Sequence, residues 1–490
     1  MRTVAPPVGL PERVAAGLEA RGAYPRWALL VALAGMFATT FPVTVLTLAI
    51  PTIADDFHVD EAQLAWLITL PVLCSALALP VLGKLGDLYG HRRIFIVGFA
   101  VAATTTALTA TATGPATLIA WRTLTQVAGA STMPSSMALI NSVHHGGARA
   151  RAMGWWSTVA AGSPVIGLTI GAAVIDAVGW QVLFLIQAAL MVVPVVASWL
   201  VLRETPRRSA RFDIAGAVLL AVGIGPLLLA VNQAPEWGLT SASTLGCLAV
   251  AGGGLVAFGW VERRVAVPLV PLSFFRSRAT TSSLLGSFLS SASYMGAFFL
   301  ASLLMVKQFG YSLTGAVPIL SIRPALFALS SPLGGRLTER AGSRTAALAG
   351  HLTLAGGLTG LAIGSAASSL LVVVTVGFLL QGIGYGLLRP AISTALADGV
   401  DDGDLGVAGA AERLSGQLGV AFGITLLATL YASDVDRFPL AFALGAVFAL
   451  AGALASLGLR AGGSGFRTSG QIHLISEEGL ASPSEPTGGS

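Results

Sequence analysis

Residues 83–93 read GKLGDLYGHRR and lie between two long apolar runs, LAWLITLPVLCSALALPVL (64–82) and IFIVGFAVAATTTALTATA (94–112). Each flanking run is about as long as a helix needs to cross a bilayer, roughly 20 apolar residues. The stretch between them is polar, basic and rich in glycine, so it reads as a tight connection between two membrane spans. Working outward, the same alternation of apolar runs and short polar connections continues from Trp27 almost to Arg460. The chain has 490 residues, of which 54% are hydrophobic and 10% charged, far below the roughly 25% charged residues of soluble domains. It is read as an all-α, polytopic membrane protein.

About fourteen spans are predicted, beginning near Trp27, Ala62, Ile94, Ala116, Met153, Val182, Ile214, Leu245, Thr281, Leu313, Ala346, Ser369, Gly406 and Phe438. With the N-terminus inside, the inner connections hold most of the arginines, including Arg92, Arg149, Arg151, Arg263, Arg264 and Arg344, whereas the outer ones hold Lys307 and Arg437. Lys and Arg accumulate on the cytoplasmic side of membrane proteins, so both termini are predicted to be cytoplasmic and the chain to sit in the plasma (inner) membrane. The basic residues are scattered through connections and form no aromatic-interleaved patch, which argues against a nucleic-acid partner. Cys74 and Cys247 lie inside apolar runs and read as small packing residues rather than a disulfide.

A second copy of the opening stretch stands 252 residues further on. GRLTERAGSR (335–344) aligns with GKLGDLYGHR (83–92), matching Gly83 with Gly335, Asp87 with Glu339, Gly90 with Gly342 and Arg92 with Arg344. Internal repeats of this kind are a common plan for secondary transporters. The predicted domains are a tail (1–26), a six-helix bundle (27–202), a linker with two extra membrane helices (203–279), a second six-helix bundle (280–459) and a polar, disordered tail (460–490).

These residues resemble the major facilitator superfamily, specifically its fourteen-span drug:proton antiporter branch. Gly83, Leu85, Asp87, Gly90 and Arg92 fit that superfamily's signature between spans two and three. WRTLTQVAGASTMPSSMALI (121–140) resembles the branch's span four through Arg122, and SPVIGLTIGA (163–172) its span-five motif through Gly167 and Gly171, with Leu168 in place of a proline. GWVERRVAVPLVPLSFFRSR (259–278) is similar to the connection that follows the branch's two extra helices. One departure stands out: PVTVLTLAIP (42–51) has Pro42 where the branch carries an aspartate in span one. The resemblance implies the major facilitator fold and alternating access. It also implies a gate in which Asp87 meets the start of span thirteen, near Leu405, and a role for Arg122 in proton coupling or substrate binding.

Charges at bilayer depth default to cavities, partners or function, which singles out Arg122, Arg323, Glu412 and Arg413. Glu412 is the deepest acid found and the first candidate for a protonatable carrier, with an inner-end ion pair as the alternative. Arg323 reads as an anion-binding or relay group, or as a structural partner for a neighbouring span. Polar stripes at helical spacing add Thr44 and Thr47 in span one, Gln126 in span four, Ser283, Ser287 and Tyr294 in span nine, and Gln381 and Tyr385 in span twelve. Interhelical packing is the simpler account of each stripe. Gly167 and Gly171 form a GxxxG pair that lets helix backbones approach closely.

Neither Lys84 nor Lys307 is followed by Ser or Thr, which excludes a P-loop. The adjacent His144 and His145 lack a spaced carboxylate or cysteine partner, and no GxSxG elbow is present. An enzyme is therefore not expected, and neither a cofactor nor a metal is called for. The expected partners are a small-molecule substrate, protons and the lipid bilayer, with the chain acting as a monomer. Two transport readings stay open at this point: export of hydrophobic drug-like compounds, and movement of a small polar or anionic metabolite. A sensor built on a transporter fold is the reading outside transport.

Overall fold

The computed structural model describes residues 10–59, 64, 66–205, 212–238, 240–265, 268–270, 272–311, 313–366, 370–431 and 435–460. The polar tail expected over 460–490 lies outside them except for its first residue. Among the described residues the chain forms fifteen α-helices and no strand. They are α1 (Leu10–Ala20), α2 (Tyr24–Thr40), α3 (Pro42–Phe57), α4 (Trp66–Tyr89), α5 (His91–Thr109), α6 (Pro115–Ala130), α7 (Thr132–Val143) and α8 (Gly146–Val201). There follow α9 (Ile214–Trp237), α10 (Ala242–Glu262), α11 (Arg278–Lys307), α12 (Leu313–Gly364), α13 (Leu371–Ala397), α14 (Leu405–Tyr431) and α15 (Phe438–Ser456). Nine segments among the described residues are long and apolar enough to cross a membrane.

The helix list departs from the predicted spans in three ways, each with a local cause. The predicted spans one and four are broken, between α2 and α3 at Phe41 and between α6 and α7 at Ser131, although both junction residues keep right-handed helical angles. Pro42 and Pro134 lack the N–H that would bond to Ala38 and Ala130, so the ladder is interrupted while the axis carries on. Conversely, α8 and α12 each run through two predicted spans, turning at Gly179 (φ 83°, ψ 165°) and Gly342 (φ 84°, ψ 160°). Glycine alone adopts such angles without strain, and a reversal on one residue needs no loop. Lastly, part of the segment read as an N-terminal tail is helical: α1 packs against α8 and buries Ala15.

The aromatic and aliphatic residues gather in separate cores. Leu300, Leu304, Phe378, Phe438 and Phe442 anchor the largest, built from α11, α12, α13 and α15. Ile53, Trp180 and Phe184 anchor one in the earlier part of the chain, and Phe95 with Phe99 another. The α9–α10 hairpin docks through Leu220, Ile224, Leu228 and Phe258 on Leu73 and Ala76 of α4, while Val218, Val222, Val250 and Val256 face outward. Exposed tryptophans stand near helix ends: Trp27, Trp199 and Trp260 at the end carrying the arginine-rich connections, hereafter the basic end, and Trp66 and Trp237 at the other. Arg264 stacks on Trp260, its guanidinium carbon 3.7 Å from the ring centroid. Such rings settle at the membrane–water boundary.

Small residues set the tightest seam. On α12 and α13, Gly357 lies against Gly377 and Gly350 against Gly384, backbone to backbone. A side-chain carbon on Gly357 would sit 2.7 Å from the carbonyl oxygen of Gly377 and 2.9 Å from the amide nitrogen of Gln381, both backbone atoms that cannot swing aside. Gly357→Val is therefore expected to destabilise the fold by about 1–3 kcal/mol, the usual range for overpacking. A lowered melting temperature of the detergent-solubilised protein would report it, while Gly356→Val, next to it in open space, leaves that temperature unchanged.

Candidate functional site

The two copies of the repeated motif do matching jobs at the basic end. Gly90 opens α5 with φ 101° and Gly342 breaks α12 with φ 84°, so each ends one helix and starts the next on a single residue. Arg92 then caps the returning end of α8, donating from Nε to Ser198 O (3.3 Å) and from Nη2 to Trp199 O (2.7 Å). Arg344 does the same at the end of α15, donating from Nε to Leu459 O (2.9 Å) and from Nη2 to Leu457 O. A cation at the carbonyl end of a helix also meets the negative pole of its dipole.

The acids of the two copies reach across to helices from the other part of the chain. Asp87 is buried and accepts from the backbone N–H groups of Gly406 and Val407, both at 3.0 Å, at the start of α14. His91 Nε2 lies 2.9 Å from the same carboxylate. Gly83 permits this approach, since a side-chain carbon there would stand 2.7 Å from Gly406 O. In the second copy Glu339 pairs with Arg151 near the start of α8, beside Gly147, while Gly335 lies against Ala150 O. Arg149 adds a 2.5 Å ion pair to Asp398 at the end of α13. The basic end is thus tied shut by Asp87 on the start of α14 and by two ion pairs, Glu339–Arg151 and Asp398–Arg149.

Above this closure lies a cavity of about 430 Å³ with walls from both parts of the chain. Thr39, Thr40, Ser75, Gln126, Thr132 and Met133 line one side. Ser291, Met295, Tyr385, Arg389, Glu412, Arg413 and Gln417 line the other, and Leu228 of α9 contributes at the flank. Along α14 the lining runs from Glu412 to Thr425, roughly 20 Å at 1.5 Å per residue. The cavity therefore extends from the middle of the molecule toward the end opposite the basic one.

Its charged floor is a small network. Arg389 Nη2 lies 3.3 Å from Glu412 Oε1, and Ser393 donates to the same oxygen at 2.8 Å. Arg389 Nη1 donates to Ser287 Oγ at 3.1 Å, and Ser287 donates to the Glu412 carbonyl oxygen. Glu412 is 1% exposed, while the neighbouring Arg413 faces open space in the cavity. Behind this floor Tyr385 stacks on Tyr294 with centroids 4.1 Å apart and planes 7° apart. Arg323 closes the stack from beneath, 4.2 Å from the Tyr294 ring, and donates from Nη2 to Tyr294 O.

The candidates named from sequence fall in different places. Gln126, Tyr385, Glu412 and Arg413 reach the cavity, and Ser287 braces Arg389 behind it. Arg323, Tyr294, Gln381 and Ser283 are buried between helices, and Arg122 lies 5.9 Å from the Phe184 ring with Nε and Nη1 lacking a protein partner. Gly167 and Gly171 are buried in α8. The side chains of Thr44 and Thr47 lie outside the described residues. Arg389 escaped the sequence reading, yet it stands inside the apolar run GYGLLRPAIS (384–393), where the rule that flagged the other intramembrane charges applies equally.

A family model for the Major Facilitator Superfamily matches residues 32–374 and 283–471. The chain is 30% identical over 438 residues to the tetracenomycin C resistance and export protein of Streptomyces glaucescens, covering 88% of this chain and 80% of that one. It is 31% identical over 458 residues to the lincomycin resistance protein of Streptomyces lincolnensis, covering 91% and 94%. Among solved structures it superposes on the human organic anion transporter MFSD10 with a TM-score of 0.64 at 17% identity, over 88% of this chain and 99% of that one.

Removing one member of a buried ion pair strands the other charge, at a cost of about 3–5 kcal/mol. Arg389→Ala is therefore expected to destabilise the protein markedly, and Arg389→Ala with Glu412→Gln much less. Thermal unfolding of the two single variants and the double variant measures that coupling directly.

Proposed function

Because the chain belongs to the Major Facilitator Superfamily, we propose that it is a fourteen-span exporter of hydrophobic, drug-like or antibiotic-like small molecules, working by alternating access in exchange for protons. The observation that carries this reading is the cavity between the two parts of the chain, sealed at the basic end by Asp87 on the start of α14. The names of the relatives, resistance and export proteins for antibiotics, support the cargo class.

In this reading α2 with α3 forms one crossing and α6 with α7 another, while α8 and α12 each supply two, which brings the total to fourteen. An even number places both termini on one side, and the arginine-rich connections make the basic end cytoplasmic. Residues 27–202 and 280–459 then form the two six-helix bundles, with α9 and α10 added between them through 203–279. The conformation described here faces outward, with the cytoplasmic gate closed.

Export then proceeds in a physical sequence. Opening the cytoplasmic side breaks the Asp87 contacts to Gly406 and Val407 and the ion pairs of Arg149 and Arg151. Cargo enters a cavity of hydroxyls, methionines and Tyr385, and leaves when the gate re-forms beneath it. With Arg389 and Arg413 set against the single acid Glu412, the cavity favours neutral or anionic cargo over strongly cationic cargo. Proton exchange would act through Glu412, whose protonation weakens its hold on Arg389 and frees that guanidinium to move.

Two measurements test this. Hydrogen bonds to an ionised group contribute about 1.5–3 kcal/mol, so Asp87→Asn is expected to depopulate the closed gate about tenfold or more. Cells producing that variant should insert it normally yet accumulate drug as transporter-free cells do, and unimpaired export would reduce the motif to a topology signal. In proteoliposomes, Glu412→Gln is expected to abolish cargo-dependent proton movement, and its persistence would remove Glu412 from the coupling scheme.

A further inference from the structure

The Asp213–Glu262 pair lies outside the cavity, where the added helices meet the repeated motif. Asp213 caps the start of α9, accepting from Gly216 N at 2.8 Å through Oδ1. Glu262 ends α10 and accepts from Val270 N at 2.5 Å through Oε1. Both residues are more than nine-tenths buried. Their second oxygens, Oδ2 and Oε2, receive no donor. Both converge on Gly216, where a side-chain carbon would collide with Asp213 Oδ2 and lie 2.9 Å from Glu262 Oε2.

Two ionised carboxylates can only accept, yet these two turn their unpartnered oxygens onto the same space beside Gly216. Like charges sharing a buried site cannot both stay ionised. A proton between them supplies the missing donor and removes the repulsion, as in other carboxyl dyads. Asp213 of α9 and Lys84 of α4 both act electrostatically on Glu262. Arg263 and Arg264, next along the chain, are exposed, and Arg264 is turned onto Trp260.

Lys84 gives this pair a route to the gate. It belongs to the opening motif, is 1% exposed and donates from Nζ to Pro268 O at 2.8 Å. Pro268 stands two residues before Val270, the donor to Glu262. Its neighbour Gly83 and the nearby Asp87 hold the start of α14. Loss of the proton would leave two negative charges in a buried site, close to an ammonium already tied to the same segment, and draw Lys84 toward them.

We propose that Asp213 and Glu262 bind one proton between them, and that this site couples protonation to the basic-end gate through Lys84. The proton is shared while the gate is closed, and its release loosens the gate. The second half of the proposal rests on the alternating-access reading; the proton site itself does not.

The full-length protein in proteoliposomes, without cargo, tests both halves. Infrared difference spectra between acidic and alkaline conditions should contain a protonated-carboxyl band that is lost in Asp213→Asn and in Glu262→Gln but kept in Glu412→Gln. Asn remains a good helix cap and Gln matches the protonated acid in shape, so both variants should fold. For the gate, Gln417→Cys in a Cys74→Ser, Cys247→Ser background is labelled by an impermeant thiol reagent applied at the basic end. Labelling should accelerate several-fold as pH rises, lose that dependence in Glu262→Gln, and regain it with a shifted midpoint in Glu262→Asp. A band that survives both dyad variants overturns the proton site. Labelling in the parent that ignores pH, or a pH dependence unchanged in Glu262→Gln, overturns the coupling. Adding Asp87→Asn should raise labelling at every pH; failure of that control sinks the alternating-access reading, while the infrared result still decides the proton site.

Discussion

The carboxylate of Asp87 on the first N–H groups of α14 is the contact on which the arrangement of the molecule turns. It joins residues more than 300 positions apart in sequence, in a buried setting, where a charge without donors would be too costly to keep. Two unpaired N–H groups at a helix start are equally unfavourable when buried. Each side solves the other's problem, and the solution exists only while α4 and α14 touch. Glycines at 83 and 406 make that approach possible, because backbone meets backbone there. The cavity lies above this contact, and in the second copy of the motif Glu339 reaches the start of another helix through a more exposed ion pair with Arg151.

The cavity chemistry follows from which charges are neutralised locally. Glu412 is held by Arg389 and Ser393, so its charge is spent on the protein's own framework. Arg413 has no comparable counterpart among the described residues and faces the open volume. The Tyr385–Tyr294 stack backed by Arg323 makes the wall behind it stiff. The cavity therefore presents a surface with more cationic than anionic groups, backed by a stacked aromatic wall.

The connections at 83–93 and 335–344 were legible because polar residues and glycines interrupt long apolar runs there, whereas the contact of Asp87 with the start of α14 came from the family resemblance. The glycine-rich stretches mark connections, the arginines mark one side of the membrane, and the apolar runs between them have the length of helices; that Arg92 and Arg344 cap helix ends emerges only from the structure. The breaks at Phe41 and Ser131 were less visible, since a proline just inside an apolar run reads equally well as a kink or a start. Partners were the least legible. Arg323 finds the carbonyl of Tyr294, 29 residues earlier, and Glu412 finds an arginine that a polar-stripe search passes over. Periodicity reports which face is buried but carries no information about what a buried charge will touch across the bundle.

The tryptophans at the helix ends carry a consequence of their own. On α10 the distance from Ala242 to Trp260 is about 27 Å at 1.5 Å per residue, close to the thickness of a bilayer's hydrocarbon core. Trp260, braced by Arg264, pins one end of that band, and Trp237 on the partner helix pins the other. A thicker or thinner membrane must then deform locally or tilt the hairpin, at a modest cost per ångström of mismatch. Because this hairpin carries Asp213, Glu262 and part of the cavity flank, lipid thickness would act on the transporter mechanically, by a route that needs no ligand.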